Sequence, residues 1–191
     1  MNQPNTDFKQ LVPVIRLVLA QIALSQRSMA DAKGKSTEAL SLAGKEYPDV
    51  TIEGTYTLGL AKALSGSGKE GEAVCEEAVK LAKGAGDSGL ISRAMLAQAE
   101  AALESGDAQK ALELALEAQD RFAKGSQLES QWRAAVIAAR ANQRLGDNNK
   151  VVEQLAQGKN ILRQLQQKWG EEAYKGYISR PDIQLYFKDL G

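Results

Sequence analysis

Four short segments of this 191-residue chain repeat one pattern, and that pattern limits the fold more than any other feature. They read GKSTEAL from Gly34, GKEGEAV from Gly68, GDAQKAL from Gly106 and GDNNKVV from Gly146. Each has a glycine, four mostly polar residues, a small or branched residue (Ala39, Ala73, Ala111, Val151) and a further aliphatic. The glycines stand 34, 38 and 40 residues apart. Glycine reaches the left-handed conformation that ends a helix without a steric penalty, so the chain can reverse there. The polar residues that follow can cap the next helix, as Ser36, Asp107 and Asp147 are placed to do. A small residue five positions on lets the second helix lie close against the first. The unit this predicts is an antiparallel helix hairpin. One hairpin cannot bury both of its apolar faces, so about four of them should stack into a solenoid.

The rest of the chain agrees with an all-α reading. Only Pro4, Pro13, Pro48 and Pro181 interrupt long stretches of good helix formers. Apolar residues recur at three and four, as in Leu90, Ala94, Ala97 and Ala101, or Ala111, Leu112, Ala115 and Leu116. No five-residue run alternates as a half-buried strand would. The expected hairpins are 8–30 with 36–46, 50–65 with 69–84, 87–105 with 108–124, and 126–145 with 148–169. The breaks fall at Pro48–Asp49 and at GAGDSG over 84–89.

This pattern resembles the tetratricopeptide repeat, a helix–turn–helix unit of about 34 residues. The segment from Arg93 to Ala123 carries the resemblance best, with Ala99, Gly106, Ala111 and Ala118 where the family has small residues. In the last unit Val151 and Gly158 replace the two alanines of the second helix. The resemblance covers about residues 8–169, and intervals of 38 and 40 imply longer helices or turns. It implies an α–α superhelix that binds a peptide or protein partner and catalyses nothing, with no cofactor. It also implies a concave groove lined by the first helix of each hairpin. The groove-facing positions are then Lys62, Arg93, Glu100, Arg133, Arg140 and Arg144, with Leu58, Leu96 and Val136 between them. Arg93 and Arg133 hold equivalent places in consecutive units. Such a stripe suits an acidic segment or a carboxylate tail. The same side chains also read as ordinary solvated charge. The whole resembles the carboxy-terminal repeat arrays of large bacterial signalling proteins, which implies a bacterial module; with one cysteine and no anchor or address label in the sequence, a cytoplasmic location is the expectation.

The two ends differ from the middle. Residues 171–191 hold Tyr174, Tyr177, Tyr186 and Phe187, with Trp169 just before them, and Pro181 can start a short helix. This segment is expected to cap the open apolar end of the stack. The first helix carries Leu11, Val12, Val14, Ile15, Leu17, Val18, Leu19 and Ile22 nearly all the way round. A helix apolar on all sides needs cover on all sides. Either repeats precede it in a longer protein, or a second copy covers it in a homodimer.

Other chemistries find little support. Basic and acidic residues number 24 each, so no basic excess points to nucleic acid or an anionic membrane. The apolar stretch Leu11–Leu24 is too short to span a bilayer, and Asp7 and Lys9 cancel where a signal peptide would be basic. The chain has no histidine and one cysteine, Cys75. That removes Ser-His-Asp and Cys-His arrangements, the usual zinc sites and any internal disulfide. Gly34-Lys35-Ser36 ends like a phosphate-binding loop, but Met29 stands where its first glycine is required. Gly68-Lys69 fails in the same way at Ala63 and Glu70. Adjacent pairs such as Glu76–Glu77 and Glu171–Glu172 point about 100° apart on a helix and form no acid–base couple.

Overall fold

The computed structural model describes the backbone of residues 6–190 and the side chains of residues 11–189. Among the described residues there are ten helices and no strand. They are α1 (Thr6–Ser25), α2 (Met29–Ala43), α3 (Pro48–Ala63), α4 (Gly68–Ala85) and α5 (Ser88–Ser105). Then follow α6 (Ala108–Lys124), α7 (Leu128–Leu145), α8 (Asn148–Trp169), α9 (Glu171–Ile178) and α10 (Pro181–Leu190).

The first eight helices pair as four hairpins, and the turns inside them are more regular than the sequence motif. A residue at positive φ stands in each: Arg27 (62°), Gly66 (95°), Gly106 (93°) and Gly146 (83°). Positions 27, 66, 106 and 146 are 39, 40 and 40 residues apart, so the true repeat is about 40 residues long. At Gly106 and Gly146 the following aspartate caps the next helix. Asp107 accepts from the Lys110 amide at 3.0 Å and Asp147 from the Lys150 amide at 3.1 Å. Asp87 does the same between hairpins, accepting from Leu90 at 2.7 Å.

Two motif glycines do other work. Gly34 lies inside α2, because the chain has already reversed at Arg27. Strong helix formers around it carry the helix through, at a cost of about 1 kcal/mol relative to alanine. Ser36 is likewise buried within α2 and caps nothing. Gly68 is the first residue of α4, and the reversal belongs to Gly66. A side chain at Gly68 would strike the Glu104 carbonyl and Ser105, so glycine there lets α4 start against the end of α5. The shift of two residues also displaces the expected small contact. Ala73 is exposed, and Gly71, Cys75, Ala78 and Ala82 form the buried stripe of α4. A Cβ at Gly59 would stand 2.5 Å from Cys75 Sγ and 2.9 Å from the Gly71 carbonyl. Helices α3 and α4 thus meet backbone to backbone, closer than any larger residue would permit. Ala39 and Ala111 are fully buried, whereas Val151 is half-exposed.

Curvature follows from which helices touch. The first helices of the hairpins, α1, α3, α5 and α7, pack backbone against backbone in order, while the backbones of α2, α4, α6 and α8 stay apart, α4 and α6 being bridged by the long Lys110 side chain to Glu72 and Glu76. The inner layer is therefore the tighter one, and its free side is concave. Alanines make that approach possible: Ala94, Ala99, Ala102, Ala134, Ala138 and Ala141 have no exposed surface. Met95, Leu103, Phe122 and Ile137 fill the core between the layers.

Beyond α8 the chain departs from the repeat. Helix α9 packs on α8, and α10 then turns back to touch α7, α8 and α1. The aromatic segment, expected to cap the stack, lies against the inner side of the last hairpin and reaches the first helix. Trp132, fully buried on α7, is its anchor. The Trp132 ring meets Tyr177, Tyr186 and Phe187 edge-on at 6.3, 5.7 and 5.9 Å. Its indole Nε1 donates to the Tyr177 hydroxyl at 2.8 Å, and that hydroxyl donates to Glu129 at 3.0 Å.

Candidate functional site: the concave chamber

Four inner helices and α10 enclose a recess of about 220 Å³ on the concave side. Its apolar wall comes from Leu24, Leu60, Leu64 and Leu96, contributed by three successive inner helices. Its polar wall is Arg93, Glu100 and Arg133 on α5 and α7, with Asp182 and Tyr186 of α10 facing them. Helical spacing explains the set. Arg93, Leu96 and Glu100 recur at three and four residues on one face of α5, and Arg133 is the residue 40 positions after Arg93.

The arginines expected to form a free basic stripe are largely engaged within the chain. Arg93 Nη2 donates to Glu53 at 3.2 Å. Glu53 is also held by Gln21 at 2.7 Å and by the Tyr56 hydroxyl at 3.0 Å, so one carboxylate ties α1, α3 and α5 together. Arg133 pairs with Glu129 at 3.6 Å and lies 5.3 Å from the centre of the Tyr186 ring. Arg140 stacks on the same ring at 4.8 Å, donates to Asp189 at 2.6 Å and to the Leu185 carbonyl at 3.1 Å. Arg144 bonds the Leu103 carbonyl, and Lys62 pairs with Glu70 at 2.5 Å, on the rim between α3 and α4. Only Arg93, Glu100 and Arg133 of the six come together in the chamber. Leu96 lines it beside them, while Val136 is fully buried and Leu58 half-buried outside it.

Sequence reasoning misses Glu53, Tyr56, Tyr186 and Asp189. Glu53 and Tyr56 owe their weight to the packing of α1, α3 and α5, and Tyr186 and Asp189 to the closing of α10 over the inner face, neither of which a local pattern encodes. The one available signal is the Tyr–x–x–Asp spacing of Tyr186 and Asp189, which puts ring and carboxylate on one side of a helix.

Burial dominates the acidity of the chamber's phenols. It pushes Tyr186 and Tyr56 well above the ordinary tyrosine range, with Glu100 and Glu53 respectively adding to the rise. Tyr177 is raised in the same way by burial and by Glu129. Burial also pushes the Cys75 thiol far up, which leaves it a packing residue and a poor nucleophile. No group of three or more metal-ligating side chains occurs among the described residues, and no helix among them is long and apolar enough to cross a membrane.

This is the fold of the tetratricopeptide-like helical solenoids. The apo form of RapI superposes over 93% of this chain with a TM-score of 0.70 at 12% identity; this chain spans 66% of the RapI chain. The nearly identical TPR-like repeats of a protein described as a kinesin light chain from Podosopora anserina match all of it. The TM-score is 0.63 at 19% identity, over 95% of that chain. A single-substitution form of the same repeats matches 95% of this chain at a TM-score of 0.64, 19% identity and 84% coverage of its own length. No family model and no curated protein matches the sequence.

Proposed function

We propose that this chain is a non-catalytic scaffold that receives a protein or peptide partner on its concave face. The observation that carries this reading is the chamber, where side chains from successive repeats converge on one recess instead of facing solvent separately. Solenoids present such concave surfaces because each repeat adds a small rotation to the last. An acidic partner would have to compete with Glu53, Glu129 and Asp189 for the arginines, so the recognised surface combines apolar and mixed-charge chemistry. A photo-crosslinking residue at Leu96 tests the reading against one at Glu113 on the outer helix α6. Partner adducts at Leu96 and none at Glu113 are the expected result; the reverse would refute a concave site.

A second reading, self-association through α1, draws on a separate observation. Leu11, Ile15, Val18 and Ile22 are 52, 52, 46 and 45% exposed and form one stripe at helical spacing. Two such stripes would cover one another in a two-fold dimer. Light scattering at rising concentration separates the two readings, since a strict monomer eliminates the second.

A further inference from the structure

The chamber holds more unmet polar chemistry than a docking groove requires. Its charges pair off as Arg93 with Glu53, Arg133 with Glu129 and Arg180 with Asp182. Two charged groups on its lining have no such partner among the described residues: the Glu100 carboxylate, in a residue only 7% exposed, and the Arg27 guanidinium from the α1–α2 turn. Arg133 lies near enough to Glu100 to feel its charge without forming an ion pair with it, and the Tyr186 hydroxyl lies close enough to the same carboxylate for a weak hydrogen bond, which leaves the charge itself unpaired. Two further atoms are buried without a hydrogen-bond partner, the Nε atoms of Arg93 and Arg133. Unpartnered polar groups of this kind are costly, and several of them around one cavity mark a place where something polar belongs. Water can satisfy the hydrogen bonds but brings no charge to an unpaired carboxylate and an unpaired guanidinium.

We propose that the chamber is a binding site for a free aliphatic α-amino acid. Its ammonium is seated on Glu100, and its carboxylate meets the Arg27 guanidinium. Its side chain rests on Leu24, Leu60, Leu64 and Leu96. Size agrees: about 220 Å³ lies below the roughly 300–1,000 Å³ typical of drug-sized pockets. Charge agrees too, because a zwitterion supplies one ion of each sign to a wall that lacks one of each. Helix α10 forms the lid, with Tyr186 and Asp182 across from α5. This inference goes beyond the scaffold reading and can fail separately from it, since calorimetry of the chain alone reads amino-acid binding while crosslinking at Leu96 reads partner docking.

Calorimetric titration of the full chain with L-leucine, L-valine and L-methionine tests the site, with N-acetyl-leucine and leucine amide as controls. The expected result is saturable binding of at least one free amino acid, about tenfold weaker or more for each blocked analogue. Glu100→Gln keeps the shape of the side chain and should weaken leucine binding at least about tenfold. Arg27→Asn should act in the same direction, and asparagine tolerates the left-handed turn that Arg27 occupies. Unchanged melting of both variants would show that binding, not folding, was lost; if Glu100→Gln does unfold, the analogue series alone decides. The proposal is overturned if no free amino acid binds with a dissociation constant below about 10 mM. Equal binding of either blocked analogue, or undiminished binding by folded Glu100→Gln, also overturns it.

Discussion

The two ends of the solenoid solve one problem in opposite ways. Every terminal repeat leaves bare the face its missing neighbour would cover. At the carboxyl end α9 and α10 fold inward, so that Tyr177, Ile183 and Tyr186 are at most 7% exposed around a fully buried Trp132. At the amino end α2, α3 and α10 cover one side of α1, but nothing among the described residues covers its outer stripe, and Leu11 and Ile15 remain half-exposed. An aromatic cluster can end an array because a few large rings replace the area of a whole hairpin. An aliphatic helix without such a cluster stays sticky, and its natural complement is another surface of the same kind.

The sharpest way to break this contrast is Trp132→Ala. It removes the anchor of the closed end and should cost ~3–5 kcal/mol, read as a lowered midpoint in urea. A loss under about 1 kcal/mol would mean that α10 is not held by this ring. Next is Ala111→Trp, which leaves both ends intact and overpacks the middle. It should cost ~1–3 kcal/mol or more, measured in the same way. Raising the pH probes the closed end alone. Tyr177 and Tyr186 have folded pKa values raised above the ordinary tyrosine value near 10, so their contribution is fully present below about pH 10. It declines as pH climbs from there toward the folded values, and Trp132 emission should shift red over that range. Tryptophan emission that stays constant to the pH of global unfolding would contradict this. Asp189→Asn weakens one half-buried ion pair with Arg140. It should cost about 1 kcal/mol or less and loosen amide exchange protection in α10 before any other helix. The smallest effect on stability belongs to the open end. Ile15→Lys with Ile22→Lys should change folding free energy by no more than ~0.5 kcal/mol for each site. Any self-association measured for the parent chain should vanish in this variant; persistence would place that contact elsewhere.

How far the sequence could be read depended on whether the turn chemistry was local. At Gly106–Asp107 and Gly146–Asp147 a left-handed glycine and a capping carboxylate are adjacent, and both helices of those hairpins follow from the residues alone. The first turn has no glycine. Arg27 takes the left-handed conformation because Arg27 N bonds the Leu24 carbonyl and Ser28 N bonds the Ala23 carbonyl. That closure depends on backbone hydrogen bonds that residue type does not announce, and it drew the expected turn seven residues away to Gly34. Ser126 does the same between α6 and α7. The candidate site was legible only as a row of charges on inner helices. Their partners, Glu53 on α3 and Asp189 on α10, lie 40 and 49 residues away from Arg93 and Arg140. Pairing over that range is decided by how the superhelix closes, so a reader of single helices sees free arginines where the folded chain has ion pairs.

The reach of α10 to α1 has a mechanical consequence. An open stack of hairpins behaves as a spring that each repeat can lengthen slightly. Bridging its first and last turns with one helix shortens the loop of motion, so pulling the ends apart must first release that clasp. Force applied along the stack would therefore meet its initial resistance where α10 touches α1, before any repeat gives way.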